Sequence, residues 1–170
     1  MKTIFALTLL VVLTSCTSKS GANSDPGKLA SETEQTDSSK EKAPKFNLTL
    51  ENGEKTTLDK LPGKIALVLF QPDCDHCQRE AEDIKNHIEG FKTFQLYFVS
   101  SAPIDEVIAF ARKYGLYDRP NVKLGTTTVT DIINTFGPID APSIYLYNDD
   151  GELIQSFNGE VAIEVVIKYI

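Results

Sequence analysis

The chain has 170 residues, with 17 Lys and Arg against 24 Asp and Glu, a formal net charge of −7 and three cysteines. An acidic balance without a basic cluster excludes a nucleic-acid surface, and no cationic face suggests attraction to anionic lipid. Lys2 gives a minimal positive start, and Ile4–Leu13 is an apolar run too short to cross a bilayer. Leu13-Thr14-Ser15-Cys16 follows, so that small residues precede a cleavage point, as in an export signal. We therefore expect residues 1–15 to be a signal peptide. No later apolar stretch is long enough to span a membrane.

Residues 17–44 contain no aromatic residue, no Val or Ile, and one Leu. Such a segment buries too little apolar surface to offset the entropy of ordering it. It reads, from residue 16 to 44, as a flexible tether with a reach of roughly 30 Å. The folded domain is then expected over residues 45–170, large enough for one core and too small for two. Phe46–Leu50 alternates as a strand does, and Asn52-Gly53 turns it into a short second piece around Thr56–Leu58. Lys64–Phe70 is a continuous apolar run, the pattern of a strand covered on both faces. Cys74-x-x-Cys77 comes next, and a helix is expected from Gln78 to about Phe91, with Ala81, Ile84, Ile88 and Phe91 at helical spacing.

Beyond it, Phe94–Ser100 reads as a strand and Ile104–Tyr114 as a helix ended by Gly115. Asn121–Leu124 is a short strand and Thr130–Phe136 a short helix, followed by Ala141-Pro142-Ser143 and the strand Ile144–Tyr147. Asn148-Asp149-Asp150-Gly151 signals a hairpin turn into Glu152–Phe157, and Val161–Ile170 closes the chain as an amphipathic helix. Strands and helices alternate and a hairpin finishes, which predicts an α/β domain with a mixed sheet and helices on both faces.

The Cys74–Cys77 pair sits where a buried strand hands over to the first turn of a helix. Unpaired N–H groups and the positive helix end favour an anion there, so a thiol so placed loses its proton more easily. Two cysteines at this spacing close a small disulfide and open it again. A bridge over so short a loop removes little chain entropy, so reactivity explains the pair better than stapling does.

In this order the residues resemble the thioredoxin fold, and within it the membrane-anchored TlpA/ResA-type thiol–disulfide oxidoreductases. The resemblance runs from about Phe46 to Ile170. It is carried by the N-terminal hairpin with Asn52-Gly53, by Pro62-Gly63-Lys64, by Cys74-x-x-Cys77, by the βα insertion and by Ala141-Pro142-Ser143. It implies that Cys74 attacks and Cys77 resolves, that Pro142 follows a cis peptide bond beside the sulfurs, and that the Ala141 backbone receives a substrate segment. Glu80, three residues after Cys77, matches an acid/base glutamate of ResA-like proteins. Cys16 resembles the lipidated cysteine of bacterial lipoproteins, which implies a periplasm-facing anchor in the cell envelope, exported disulfide or thiol proteins as substrates, and a membrane electron-transfer partner. No cofactor and no metal are implied.

Departures from the family pattern matter as well. Its tryptophans before the first cysteine are replaced by Gln71, Pro72 and Asp73, and thioredoxin's buried aspartate corresponds to Val68. His76 stands where proline is usual, as in oxidising members of the superfamily, where an imidazolium stabilises the thiolate. Asp73 and Asp75 push the other way. Electron flow is left undecided by these neighbours, and the anchored architecture tilts it to reduction. A copper-binding module using the two thiolates and His76 is the alternative, weakened because His87 lies about 15 Å further along a helix. Thiol peroxidase chemistry fits poorly, because Gln71 occupies the position of its required threonine.

Overall fold

The computed structural model describes residues 41–170. The expected signal peptide, the expected lipidation site Cys16 and most of the expected tether lie outside those residues. At the boundary the chain enters the fold sooner than Lys45: Ala43 N donates to Gly151 O at 2.7 Å, Leu153 N donates to Glu41 O at 2.7 Å, and Lys42 bridges to Glu152. Polar residues there gain order from backbone pairing with a strand edge, which composition does not register.

Seven strands form one mixed sheet. They are β1 (Asn47–Leu50), β2 (Lys55–Thr57), β3 (Ile65–Leu69), β4 (Gln95–Ser100), β5 (Val122–Thr126), β6 (Ser143–Tyr147) and β7 (Leu153–Asn158), in the spatial order β2-β1-β5-β4-β3-β6-β7. The pairs β3–β4 and β4–β5 are parallel, and the other neighbours are antiparallel. Four helices join them: α1 (Asp75–Asn86), α2 (Ile104–Lys113), α3 (Val129–Phe136) and α4 (Ile163–Ile167).

Strand β3 shows why the apolar run is unbroken. Ala66, Val68 and the following Phe70 enter one core with Ala81, Ile84, Val107, Phe110 and Val166 of the helices. Ile65, Leu67 and Leu69 enter a second core with Phe46, Leu48, Tyr97, Val99 and Ile132. A strand that divides its side chains between two cores needs an apolar residue at every position. Each such buried side chain contributes roughly 1.5–3 kcal/mol. That anchors the end of β3, from which the cysteine loop departs.

Helix boundaries differ most from the sequence expectation in α1 and α4. α1 begins at Asp75 rather than Gln78, because Cys74 itself is the N-cap and its sulfur accepts from Cys77 N. It also stops at Asn86, after which Ile88–Phe91 tightens into a 3₁₀ turn. Gly90 lies in that turn where a Cβ would come within 2.7 Å of Ile167 Cδ1, so a side chain there would displace the tip of Ile167. α4 spans only Ile163–Ile167, not Val161–Ile170. Ala162 is its N-cap with an extended backbone, and Val161 before it donates its N–H to Glu80 Oε1.

Candidate active site

β3, the turn after it and the first turn of α1 bring the two sulfurs together on chemically different footings. Cys74 is half-buried, and its Sγ accepts from Cys77 N at 3.3 Å. The same Cys74 thiol faces the Ala141 carbonyl oxygen at 3.6 Å. Cys77 is 2% exposed, and its Sγ accepts from Gln71 N at 3.5 Å. Burial, first of all, and then the neighbouring Cys74 sulfur push the Cys77 thiol well above its usual range, with the Glu80 charge adding to it. Each sulfur accepts one backbone N–H, but Cys74 is reachable whereas Cys77 is enclosed and harder to ionise.

Ala141–Pro142 is a cis peptide bond, and it places the Ala141 carbonyl over Cys74. The loop is fixed by polar bonds: Ser143 Oγ donates to Asp140 O at 2.6 Å and to Asn158 Oδ1 at 2.9 Å, and Asp140 N donates to the same Asn158 oxygen at 2.7 Å. Alongside Ala141 opens a cavity of about 300 Å³ lined by Leu69, Val129, Ile132, Ile133 and Ile139. Val129 and Ile133 are more than half exposed, an unusual state for large aliphatic side chains.

Glu80 is where the helical spacing puts it, but it is not a solvated carboxylate. It is 3% exposed, with Oε1 accepting from Val161 N at 3.3 Å and Oε2 without a partner. Burial raises its pKa to about 8 against the opposing pull of the Val161 N–H, helped by the charges of Glu160 and Asp83. Such a group accepts or releases a proton near neutral pH. A cavity of about 580 Å³, lined by Arg79, Glu80, Asp83 and Glu160, opens beside it.

His76 is elsewhere. Its side chain is 62% exposed and its Nδ1 pairs with Glu160, with Arg79 Nη2 at 2.8 Å; among the described residues no hydrogen bond runs from it to either sulfur. Glu160 is gripped by Arg79 at 2.8 and 2.7 Å, and these bonds, with that of His76, hold its carboxyl down at about 2. Glu160 carries no local sequence signal, since its partners lie some eighty residues away. Gln71 departs from the family pattern, yet its backbone N–H meets Cys77 and its side chain links Ser100 and Ser101. His87 caps α1 and pairs with Asp83 and Glu164, away from the sulfurs. Among the described residues no three His, Cys, Asp or Glu side chains are grouped to hold a metal ion. Nor is any described helix long and apolar enough to cross a membrane.

Solved structures share this arrangement of elements. A secreted disulfide oxidoreductase of Mycobacterium tuberculosis, homologous to Escherichia coli DsbE, superposes with a TM-score of 0.60 at 17% identity, over 74% of this chain and 93% of its own. StoA from Bacillus subtilis gives 0.56 at 17% identity, over 75% and 98%. The thioredoxin domain of a thiol-disulfide oxidoreductase from Bacteroides vulgatus gives 0.61 at 17% identity, over 76% and 96%. At that identity the likeness is one of fold. By sequence, no curated protein matches the chain. The AhpC/TSA family profile matches residues 40–156, well over half the chain, and includes both cysteines and the cis proline. With the thioredoxin-like sheet and helices in place around them, the chain belongs to the AhpC/TSA family.

Proposed function

We propose that this protein is a thiol–disulfide oxidoreductase that works through the Cys74–Cys77 pair. The observation that carries the reading is the contrast between the sulfurs. Cys74 is reachable at the helix N-cap, and Cys77 is buried one turn behind it, its backbone N–H on the Cys74 sulfur at 3.3 Å.

In the reducing direction, the Cys74 thiolate attacks one sulfur of a substrate disulfide, and the displaced substrate thiolate takes up a proton. A mixed disulfide between Cys74 and the substrate results. Cys77 then gives its proton to the Glu80 carboxylate and attacks Cys74 Sγ, and the second substrate sulfur leaves as a thiolate. Glu80 passes that proton on to the departing thiolate; with the proton taken from solvent in the first step, two electrons and two protons reach the substrate, and Cys74–Cys77 is left as a disulfide. Burial makes the Cys77 proton hard to lose, which is why a base beside it matters. Glu80, ionising near neutral pH, is suited to that role.

Substrate contact falls to the Ala141–Pro142 backbone and to the apolar cavity next to it, which suits residues flanking a disulfide in an extended segment. We assign the reducing direction, a TlpA/ResA-type lipoprotein anchored through Cys16, exported protein substrates and a membrane electron donor to this chain from its resemblance to that group. His76, bound to Glu160, acts on the site through that carboxylate rather than through a sulfur.

The test is chemical. Incubated with a disulfide-bonded peptide, the Cys77→Ala protein accumulates a mixed disulfide through Cys74, read by mass spectrometry, and the wild type turns over insulin disulfides. Absence of both the adduct and the turnover would remove the reading.

A further inference from the structure

The stretch from the end of β7 into α4 joins the cis-proline loop to α1, the two elements that frame the dithiol. Asn158 and Gly159 hold the cis-proline loop, the former through Asp140 and Ser143 and the latter by donating its N–H to Pro142 O at 2.9 Å. Gly159 takes φ +86°, a region L side chains rarely adopt, and this lets the chain turn from the loop toward α1. Glu160 then crosses to the outer face of α1 and binds Arg79 through both oxygens, with His76 as a third partner. Val161 N lands on Glu80 Oε1, and Ile163 N on Asp83 Oδ2 at 3.2 Å. The family match ends at residue 156, before this stretch begins.

We propose that Glu160 is a positioning residue for proton transfer at Cys77: its fork on Arg79 fixes the stretch so that the Val161 N–H occupies Glu80 Oε1 and leaves Oε2 for the thiol proton. An ion pair between half-exposed side chains contributes little to stability, but a bidentate arginine–carboxylate pair fixes geometry. The geometry it fixes here is one residue away. Oε2 is buried and unpartnered, a costly state unless the atom is used. The purpose of this placement rests on the thiol–disulfide reading, whereas the placement itself does not.

The charged and titratable groups facing Glu80 are Cys77 and Asp83 on its own helix and Glu160 on the stretch packed against it. Glu160 acts on Glu80 in two opposed ways. Its charge disfavours ionisation, and the N–H it positions favours ionisation more strongly. Two variants separate them. Glu160→Gln removes the charge and keeps one of the two bonds to Arg79, while Glu160→Ala removes both and releases the stretch.

The Glu80 carboxyl is titrated by ¹³C NMR in the reduced full-length protein, together with exchange of the Val161 amide. We expect Glu160→Gln to lower the Glu80 midpoint, and Glu160→Ala to raise it and to speed Val161 exchange on the order of tenfold or more. Resolution of the mixed disulfide by Cys77 slows on the order of tenfold to a hundredfold in Glu160→Ala. Any other pattern in the titration, above all a fall in both variants, overturns the proposal and leaves Glu160 a through-space charge. Wild-type turnover of insulin is measured in parallel. Its absence with the titration pattern intact removes the catalytic reading alone, and normal turnover with an unmoved Glu80 removes the positioning alone.

Discussion

Two cavity walls near the dithiol, one beside the cis-proline loop and one along α1, differ in almost every physical respect. On one side α3 and the segment into Ala141 present Val129, Ile133 and Ile139 around a cavity of about 300 Å³. On the other, α1 and the stretch after β7 present Arg79, Glu80, Asp83 and Glu160 around one of about 580 Å³. A redox pair has two needs that compete: an apolar surface to hold a partner, and a route for protons that apolar surface obstructs. This fold separates them: the apolar cavity adjoins Ala141, which the Cys74 sulfur faces, and the charged one lies along α1 and the stretch after β7. Substitutions in the charged wall should then change proton handling, and substitutions in the apolar wall should change partner affinity.

The largest effect is expected in the charged wall. Glu80→Gln keeps shape and removes the base, so resolution by Cys77 should slow roughly 10²–10⁴-fold at pH 7. Attack by Cys74 should continue, and the mixed disulfide should accumulate in the variant. Stopped-flow quenching with acid and mass spectrometry reads both steps. If resolution holds its rate, the charged wall does not handle this proton.

The same residue predicts a pH dependence of stability. With a folded pKa of about 8 against 4.5 for an unperturbed glutamate, Glu80 binds more protons folded than unfolded between those values. Its contribution to stability is therefore greatest below about pH 4.5 and falls as pH rises to about 8, with a slope of at most about 1.4 kcal/mol per pH unit. Glu160, held at about 2, has the opposite sign: its contribution is present above 4.5 and is lost as pH falls toward 2. Urea midpoints at about pH 5 and about pH 8.5, either side of most of this change, should differ less in Glu80→Gln than in the wild type. An equal difference would mean that Glu80 ionises alike in both states.

These two walls are not equally legible in the sequence. The apolar run into Cys74 and the helix after it follow from local pattern, because each depends on residues within a few positions, whereas the cis bond before Pro142 is expected from the family resemblance alone. Helical spacing places Glu80 correctly, but its burial depends on Val161, which is 81 residues distant. Glu160 and Asn158 leave no local trace for the same reason: their partners sit on α1 and the cis-proline loop. His76 misleads because adjacency in sequence suggests a sulfur as its partner, whereas a side chain on the exposed face of α1 points to whatever crosses that face. The start of the domain is also hidden, since residues 41–43 join the fold mainly through backbone bonds.

In the apolar wall a smaller effect is expected. Ile133 is 52% exposed, so Ile133→Asp removes little core packing and places a charge where a partner would be apolar. KM for a disulfide peptide should rise on the order of tenfold, equivalent to about 1.4 kcal/mol, with kcat little changed. The pH profile set by Glu80 should stay where it was. A shift in that profile would show that the walls are coupled.

The smallest effect tests whether α3 holds the apolar wall in place. Thr128 is its N-cap: the side-chain oxygen accepts from Asp131 N at 3.0 Å and donates to Asp131 Oδ2 at 2.7 Å. Asn47 of β1 donates to the other Asp131 oxygen at 3.0 Å, and these bonds, that of Thr128 first, lower the Asp131 pKa. Thr128→Ala removes the cap and should cost about 1 kcal/mol in urea unfolding. Because Val129, Ile132 and Ile133 ride on this first turn, fraying should also raise KM severalfold, less than Ile133→Asp does. Glu80 lies across the site and should titrate unchanged, so the ratio of the KM change to the pH-profile change isolates the apolar wall. A stability loss with no change in KM would mean that α3 supports the second core, through Ile132 and Phe136, without shaping the surface beside Cys74.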